Sequence, residues 1–395
     1  MPTSFSSSRR QRALALSVIA LTGVSLGACT SAGGGDAAET SAAEAVLRPA
    51  APEGQLPELL QSELQATLDE KMAEYDVPGA VAGVWIPGEG SWTTAAGLAD
   101  VEGGVDATTD MVWPIRSITK SYTVTLLLQL ADEGTLSLDD TLDQYVDGVP
   151  NGDEIILLEL ANMSSGNADY VNEGFIEEFV ADPTRVFTLD ELNAAAIGQP
   201  AQFAPGSEYL YTNSNINFLG SVIEEATGQR FTEVLTERIL EPLEQTGTSY
   251  ITDVDDWSEP HAVGYIVEDG VPIAQQENAS IFGPAGSMFS TLDDGRVWAE
   301  MLGTGALVTP EMQEIREVGH EIPSPPYDLY AVGIGTTDGW WGHNGEGIGF
   351  TAATFYEPET GASIVVYMNE SNVADGAHPA DQTFRAMATA IEASM

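Results

Sequence analysis

The sequence predicts an α+β protein in which an antiparallel sheet is flanked by helices and an all-α region is inserted. Three observations carry that expectation. Strand-like apolar runs stand near the start of the folded part, a second set stands near its end, and helical spacing fills the middle. The inserted region is expected at roughly 138–280. No internal repeat is visible.

Residues 1–28 read as an export signal. Arg9, Arg10 and Arg12 precede an apolar stretch from Ala13 to Ala28, shorter than the roughly 20 residues a spanning helix needs. Leu26-Gly-Ala-Cys29 resembles the lipobox of bacterial lipoproteins. That resemblance implies cleavage before Cys29 and lipidation of its thiol. It further implies an exported protein on the outer face of the cytoplasmic membrane, with the lipid as its only membrane attachment. An uncleaved signal anchor is the alternative. Cys29 is the single cysteine, so no intrachain disulfide can form. Residues 29–55 are rich in Ala, Gly, Ser and Glu, then in Pro, and read as a tether.

The folded part is expected over residues 56–395. Leu59–Tyr75 places Leu60, Leu64, Leu68 and Met72 at helical spacing. Gly79–Ile86 is a buried strand, and Gly90–Ala99 a second one across a Pro-Gly-Glu-Gly turn. Ser117–Glu133 is the most apolar helix, and Gly134 stops it. Helical spacing then runs from about Leu138 to Glu241. Strands return at Leu329–Thr336, Gly339–His343, Gly349–Tyr356 and Ala362–Asn369, and Ala380–Ser394 closes the chain as a helix.

Composition narrows the function. The chain carries 61 acidic and 13 basic residues, a formal charge of −48. Without the leader the balance is 10 bases against 61 acids, or −51. Such a surface excludes nucleic acid, whose phosphates need basic groups, and disfavours docking on anionic lipid by charge. With 43% hydrophobic residues, the chain still has material for a core. The expected partner is a small molecule or peptide substrate, the expected state a monomer.

Three short motifs carry chemistry. Ser117-Ile-Thr-Lys120 contains one of only two lysines in the chain. Residues three apart share a helix face, so the hydroxyl and the amine can touch. A serine alcohol needs a base, and a desolvated lysine can serve. Tyr211-Thr-Asn213 offers a phenol for proton relay and an amide for binding. His343-Asn344-Gly345 stands at a strand end. Gly345 would allow close backbone approach, and the N–H of Glu346 could pair with that of Ser117 as an oxyanion hole. Singly, each has an ordinary reading as a cap, a loop or a sheet edge.

Together and in this order they resemble the serine β-lactamase and penicillin-binding protein superfamily, in particular its class C-like members. Those members include D-alanyl-D-alanine carboxypeptidases, class C β-lactamases and related esterases. Trp113-Pro-Ile-Arg-Ser-Ile-Thr-Lys120, Leu160-Ala-Asn-Met-Ser-Ser-Gly166, Phe203-Ala-Pro-Gly206 and Ala285-Gly-Ser-Met-Phe-Ser-Thr291 add to the likeness, which covers roughly residues 57–391. The resemblance implies a β-lactamase/transpeptidase-like fold and no cofactor. It implies acylation of Ser117, a base role shared by Lys120 and Tyr211, and substrate contacts from Asn213. His343, Asn344 and Gly345 would line the opposite wall.

Two departures bear on substrate. Asn344 replaces the usual Thr or Ser that helps grip a carboxylate, and no Arg or Lys lies between Glu317 and His343. Both weaken the case for a carboxylate-bearing substrate, as does the negative field. Lys120 needs a lowered pKa to act as base. Burial, the helix start and Arg116 are the local candidates for lowering it, with Tyr211 as the alternative base.

Other chemistries fit less well. No G-x-S-x-G occurs, the four histidines lack zinc-ligand spacing, and Gly345–Gly349 precedes no long helix. The expectation is a serine hydrolase, with small ester or amide hydrolysis ranked level with carboxypeptidase action and β-lactamase action below. A catalytically idle sensor of cell-wall peptides or β-lactams is the alternative. The leader is checked separately: radiolabelled palmitate should enter the full-length chain in a lipoprotein-processing bacterium, and Cys29→Ser should abolish labelling. Equal labelling of both chains would exclude Cys29 as the anchor.

Overall fold

The segment Gly79-Ala-Val-Ala-Gly-Val-Trp-Ile86 contains no polar side chain, so as a strand it needs cover on both faces. The computed structural model gives it that cover. It describes residues 48–253, 256–257, 260–322, 326–371 and 378–394. The leader, Cys29 and most of the expected tether therefore lie outside the described residues.

Helix α1 (Glu58–Glu74) is followed by strands β1 (Gly79–Ile86), β2 (Gly90–Asp100), β3 (Val105–Asp106) and β4 (Trp113–Pro114). A single 3-10 turn, Arg116–Ile118, leads into α2 (Thr119–Asp132). Then come α3 (Leu157–Ala161), α4 (Glu173–Ala181), α5 (Leu189–Ile197), α6 (Asn213–Thr227) and α7 (Phe231–Leu235). Strands β5 (Ser249–Tyr250), β6 (Tyr265–Glu268), β7 (Val271–Ala274) and β8 (Met288–Ser290) precede α8 (Leu292–Thr304) and α9 (Pro310–Arg316). The chain ends with β9 (His320–Glu321), β10 (Leu329–Tyr330), β11 (Gly335–Thr337), β12 (Trp340–Gly347), β13 (Phe350–Tyr356), β14 (Ser363–Met368) and α10 (Pro379–Ser394).

One nine-stranded antiparallel sheet has the order β3-β2-β1-β14-β13-β12-β11-β10-β9. The first and last long strands are thus central neighbours, with Ala80 opposite Met368. Strands β1 and β14 are buried at every residue. Helices α1 and α10 pack on each other and on the sheet, and α8 also packs on β1, β13 and β14. Since these strands are buried on both sides, the two sets of helices cover opposite faces. The structure is α+β, as the sequence predicts.

Three expectations need correction. The region 138–280 is not all helix. Beyond α7 and a π-turn at Thr236–Leu240 it contains β5, which joins β4 and β8 in a small sheet, and the β6–β7 hairpin. The expected strand Leu329–Thr336 is two strands, β10 and β11, because Gly333 turns at φ 70° where a Cβ would lie 2.4 Å from Val124. The third motif does not end a strand: β12 runs through it to Gly347.

Helix α2 supplies the core of the helical part. Its residues Thr119 to Leu128, and Leu130, are all buried. Each fully buried leucine contributes about 2 kcal/mol by apolar transfer. Tyr122 stacks on Trp298 of α8 with ring centroids 3.4 Å apart, and Trp298 Nε1 donates to Ser121 Oγ at 2.8 Å. A helix sealed on all sides cannot roll, which fixes the direction of anything at its first turn.

Candidate active site

Ser117 sits in the 3-10 turn, one step before α2, rather than in its first α turn. Arg116 holds the turn at φ 50°, a left-handed conformation that costs a non-glycine residue on the order of 1–2 kcal/mol. Contacts on all sides maintain it. Ile115 N donates to Met288 O at 3.0 Å, and Met288 N donates to Thr119 Oγ1 at 3.2 Å. Arg116 itself is buried. Its Nε donates to Gly347 O at 2.9 Å and its Nη2 to Ile348 O at 3.1 Å. The guanidinium is ion-paired with Glu277 and lies over the Phe282 and Phe350 rings.

Lys120 is fully buried, with Nζ at 2.8 Å from each of three oxygens: Ser117 Oγ, Asn213 Oδ1 and the Ala285 carbonyl. Two of these can only accept. A neutral amine has two N–H bonds and one lone pair. The two N–H bonds must go to Asn213 and Ala285, so the lone pair is left facing the Ser117 hydroxyl. Burial lowers the Lys120 pKa to about 7, against the opposing pull of Asp169. Arg116 takes no part in that lowering, which corrects the sequence expectation: its charge is turned to Glu277.

Tyr211 lies just before α6 and packs over the amine, with Nζ 5.1 Å from its ring centroid. Its hydroxyl is a hydrogen-bonding partner of Ser117. Burial pushes the phenol up, and the bond to Ser117 offsets this only in part. Tyr211 therefore keeps its proton where Lys120 has lost its own. Of the two candidate bases, the amine is the one available near neutral pH.

Asn213 begins α6, with Thr212 as its cap. Asp169 fixes its amide. Its Oδ2 accepts from Asn213 Nδ2 at 3.1 Å, from Asn213 N at 2.7 Å and from Thr212 Oγ1 at 3.2 Å. A donor on one side and a carboxylate on the other leave only one amide orientation. No motif marks Asp169. It stands three residues after the landmark ending at Gly166.

The Ala285 carbonyl was also invisible in the sequence. Gly283 adopts φ 55°, ψ −152°, and a Cβ there would lie 2.8 Å from Asn217 Oδ1. This turn sends successive carbonyls to α2: Pro284 O accepts from Thr123 Oγ1 at 2.7 Å, and Ala285 O accepts from Lys120.

The third motif passes Ser117 along β12. A Cβ on Gly345 would lie 2.3 Å from Ile115 O and 3.1 Å from Ser117 N, so only glycine allows this approach. Asn344 N donates to Tyr327 Oη at 3.0 Å, away from β13. N–H groups two apart in a strand point the same way. The Glu346 N–H thus faces the Ser117 side, in the direction an oxyanion hole requires.

His343 differs from the expectation. Asn344 and Glu346 face the cleft, whereas His343, on the alternate face, is fully buried behind Tyr327. Tyr327 Oη donates to Asn344 Oδ1 at 2.6 Å, so it accepts from His343 Nδ1 at 3.0 Å, and Tyr330 Oη donates to Nε2 at 3.2 Å. Burial, then the Lys120 charge, lowers His343 to about 3, so the ring is neutral. It braces the wall and does not touch substrate space. Tyr327 forms that wall instead, a residue the sequence reading did not single out.

The cleft has a volume of about 470 Å³. Ser117, Tyr211, Asn213, Asn344 and Glu346 line it with Tyr170, Tyr209, Phe282, Ile322 and Tyr327. Among the described lining residues Arg116 is the one arginine or lysine, and it is ion-paired with Glu277. The Glu346 carboxyl stands at the accessible mouth, raised by partial burial and held back by Arg116. Among the described residues no metal-binding cluster is present.

A serine hydroxyl faces a buried amine, a phenol stands beside both, and backbone N–H groups converge on them: the arrangement that acyl transfer through a serine requires. The chain belongs to the beta-lactamase family, whose pattern it matches over residues 64–387. It is 25% identical over 329 residues to protein flp of Staphylococcus aureus, covering 78% of this chain. The match spans 63% of that longer protein. It is 32% identical over 193 residues to a D-aminopeptidase of Brucella anthropi, covering 49% of this chain and 36% of that one. Among solved structures, a D-stereospecific amidohydrolase from Streptomyces superposes with a TM-score of 0.73 at 26% identity, covering 83% of this chain and 98% of that one.

Three outcomes follow from the geometry. Since Lys120 must be neutral to act, kcat/KM should rise with pH through a midpoint near 7. Lys120→Met should lower it by about 10²–10⁴-fold. A profile flat from pH 5 to 9 would exclude the amine as base. Gly345→Ala should lower kcat/KM about 10²-fold, as a displacement of roughly 1 Å does, while circular dichroism shows the fold intact. Unchanged kinetics would show that β12 can retreat without cost.

Proposed function

We propose that this protein hydrolyses small amides or esters through an acyl-enzyme on Ser117. The observation that carries this reading is the orientation of Lys120, whose lone pair has no partner but the Ser117 hydroxyl. The hydroxyl proton passes to Lys120 as Oγ bonds to the carbonyl carbon. The N–H groups of Ser117 and Glu346 receive the oxyanion. Collapse breaks the bond to the leaving group, which takes up the proton that Lys120 had accepted, relayed by the Tyr211 hydroxyl beside Ser117 in the cleft lining. Water then attacks the acyl carbon by the same route in reverse. The idle-sensor reading has no comparable support, since the nucleophile, base and relay are all in reach of one another.

The cleft favours a substrate without a carboxylate. Arg116 is bound to Glu277, Asn344 is bound to Tyr327, and Glu346 adds negative charge at the mouth. Neutral or amine-bearing acyl groups with an aromatic or aliphatic side chain fit that lining. The names of the D-aminopeptidase and the D-stereospecific amidohydrolase point the same way. Carboxypeptidase and β-lactamase action rank below, because both substrates carry a carboxylate. The reading includes export and lipid attachment at Cys29.

A substrate series tests this. D-phenylalanine amide and p-nitrophenyl acetate should be turned over with kcat/KM at least about 10-fold above a D-alanyl-D-alanine peptide. Ser117→Ala should abolish all turnover. Raising the salt from 0.05 to about 0.5 M should help the anionic peptide more than the neutral ester, as screening removes repulsion. Preference for the carboxylate-bearing peptide would overturn the substrate assignment, and stable labelling by a fluorescent penicillin without turnover of anything would favour the sensor.

A further inference from the structure

Glu346 serves the acyl-transfer geometry only through its backbone N–H. Its side chain is exposed and lines the cleft, and among the described residues its carboxylate forms no hydrogen bond or ion pair. In a chain with 61 acidic residues an exposed glutamate is ordinarily solvated surface. Three observations set Glu346 apart.

The first is where its backbone stands. The N–H turned toward Ser117 is that of Glu346 itself, next to Gly345, whose Cα has only Ile115 O and Ser117 N before it. A carbonyl held at that N–H lies at the root of the side chain, and the carbons attached to it lie within reach of the carboxylate. Tyr211 and Asn213 come from the helical side of the cleft and Glu346 from the sheet side. The leaving group takes its proton at Tyr211, so the acyl part is what meets Glu346. The second is rigidity. Gly347 O accepts from Arg116 Nε at 2.9 Å, and Glu346 is paired across the sheet with Thr351. A fixed backbone lowers the cost of ordering the side chain against a ligand. The third is the sum of charge. Arg116 is ion-paired with Glu277, and Asn344, on the same face of β12, is bound to Tyr327. Glu346 is therefore a carboxylate in the cleft without a counterion, which a cationic donor would complete.

We infer that Glu346 selects the acyl group: its carboxylate receives an ammonium carried on the carbon next to the reacting carbonyl. The preferred substrates are then amides or esters of amino acids whose own amine is free. The inference rests on the acyl-enzyme reading and narrows it, since it places amine-bearing acyl groups above neutral ones. The same carboxylate repels an acyl group that carries a negative charge near its carbonyl.

Competition against p-nitrophenyl acetate turnover tests the assignment near pH 7, where an α-amine is largely protonated. D-phenylalanine amide should compete with a Ki at least about tenfold below that of 3-phenylpropionamide, which lacks only the amine. Capping the amine as N-acetyl-D-phenylalanine amide should remove the advantage. In Glu346→Gln the Ki values of the first two amides should converge, and in Glu346→Lys their order should reverse. Should either variant lose ester turnover, calorimetric titration of the two amides into it yields the same ratio. Equal Ki values on the unaltered protein would overturn the assignment, as would an advantage that persists in Glu346→Gln, which would place the ammonium elsewhere. In both cases ester turnover that is lost in Ser117→Ala leaves the acyl-enzyme reading standing. Ester turnover that survives Ser117→Ala would overturn that reading instead, and no turnover or binding of any of these compounds would overturn both.

Discussion

A single lysine amine buried without a counterion is the constraint on which the rest of the site depends. Solvent would keep it charged, and a carboxylate in contact would do the same. The fold denies it both. It surrounds the amine with a hydroxyl, an amide oxygen and a carbonyl, and keeps the nearest acid, Asp169, on the far side of the Asn213 amide. Asn213 therefore passes on the positioning of Asp169 while separating its charge from the amine. The sealed α2 helix and the Gly283 turn exist in this geometry to bring those three oxygens to one point.

Much of this was legible in the sequence, for identifiable reasons. A chain with two lysines makes a serine three residues before one of them conspicuous, and period 3.6 puts the pair on one face. Tyr211 and Asn213 were readable because they announce themselves as side chains next to a helix start. Strands β1, β13 and β14 were readable because buried central strands are dense in apolar, aromatic and β-branched residues. Backbone groups were not readable. The Ala285 carbonyl has no letter of its own, and the left-handed Arg116 looks like any arginine. His343 was misplaced for a related reason: a motif names a residue, but the alternation of its strand decides which face that residue takes. Tyr327 and Asp169 became visible only when tertiary contacts set them beside Asn344 and Asn213.

Arg116 shows how a local cost is held by distant parts. Its backbone conformation is unfavourable and its side chain is buried, yet each of its bonds ends on a different element. Gly347 ends β12, Ile348 belongs to the turn after it, Glu277 follows β7, and Phe350 opens β13. The residue ties the nucleophile's turn to the wall that supplies the second oxyanion donor. Its pairing with Glu277 also turns its charge away from the cleft that it lines. The anchoring of the nucleophile's turn and the charge of the cleft thus rest on the same guanidinium.

The pairing of β1 with β14 has a consequence for how the molecule comes into being. The side chain of Asn369 accepts from Gly79 N across 290 residues of chain, and the sheet has no centre until its last strand has arrived. Contacts this remote form late and slowly, because a long loop must close before they yield anything. A partly synthesised chain can make helices and the β1–β2 hairpin, but not the floor under β12, nor therefore the wall opposite Ser117. A complete cleft is the last feature such a chain acquires. A chain threaded through a membrane from its first residue would stay unfolded, and chemically silent, until it had passed completely to the other side.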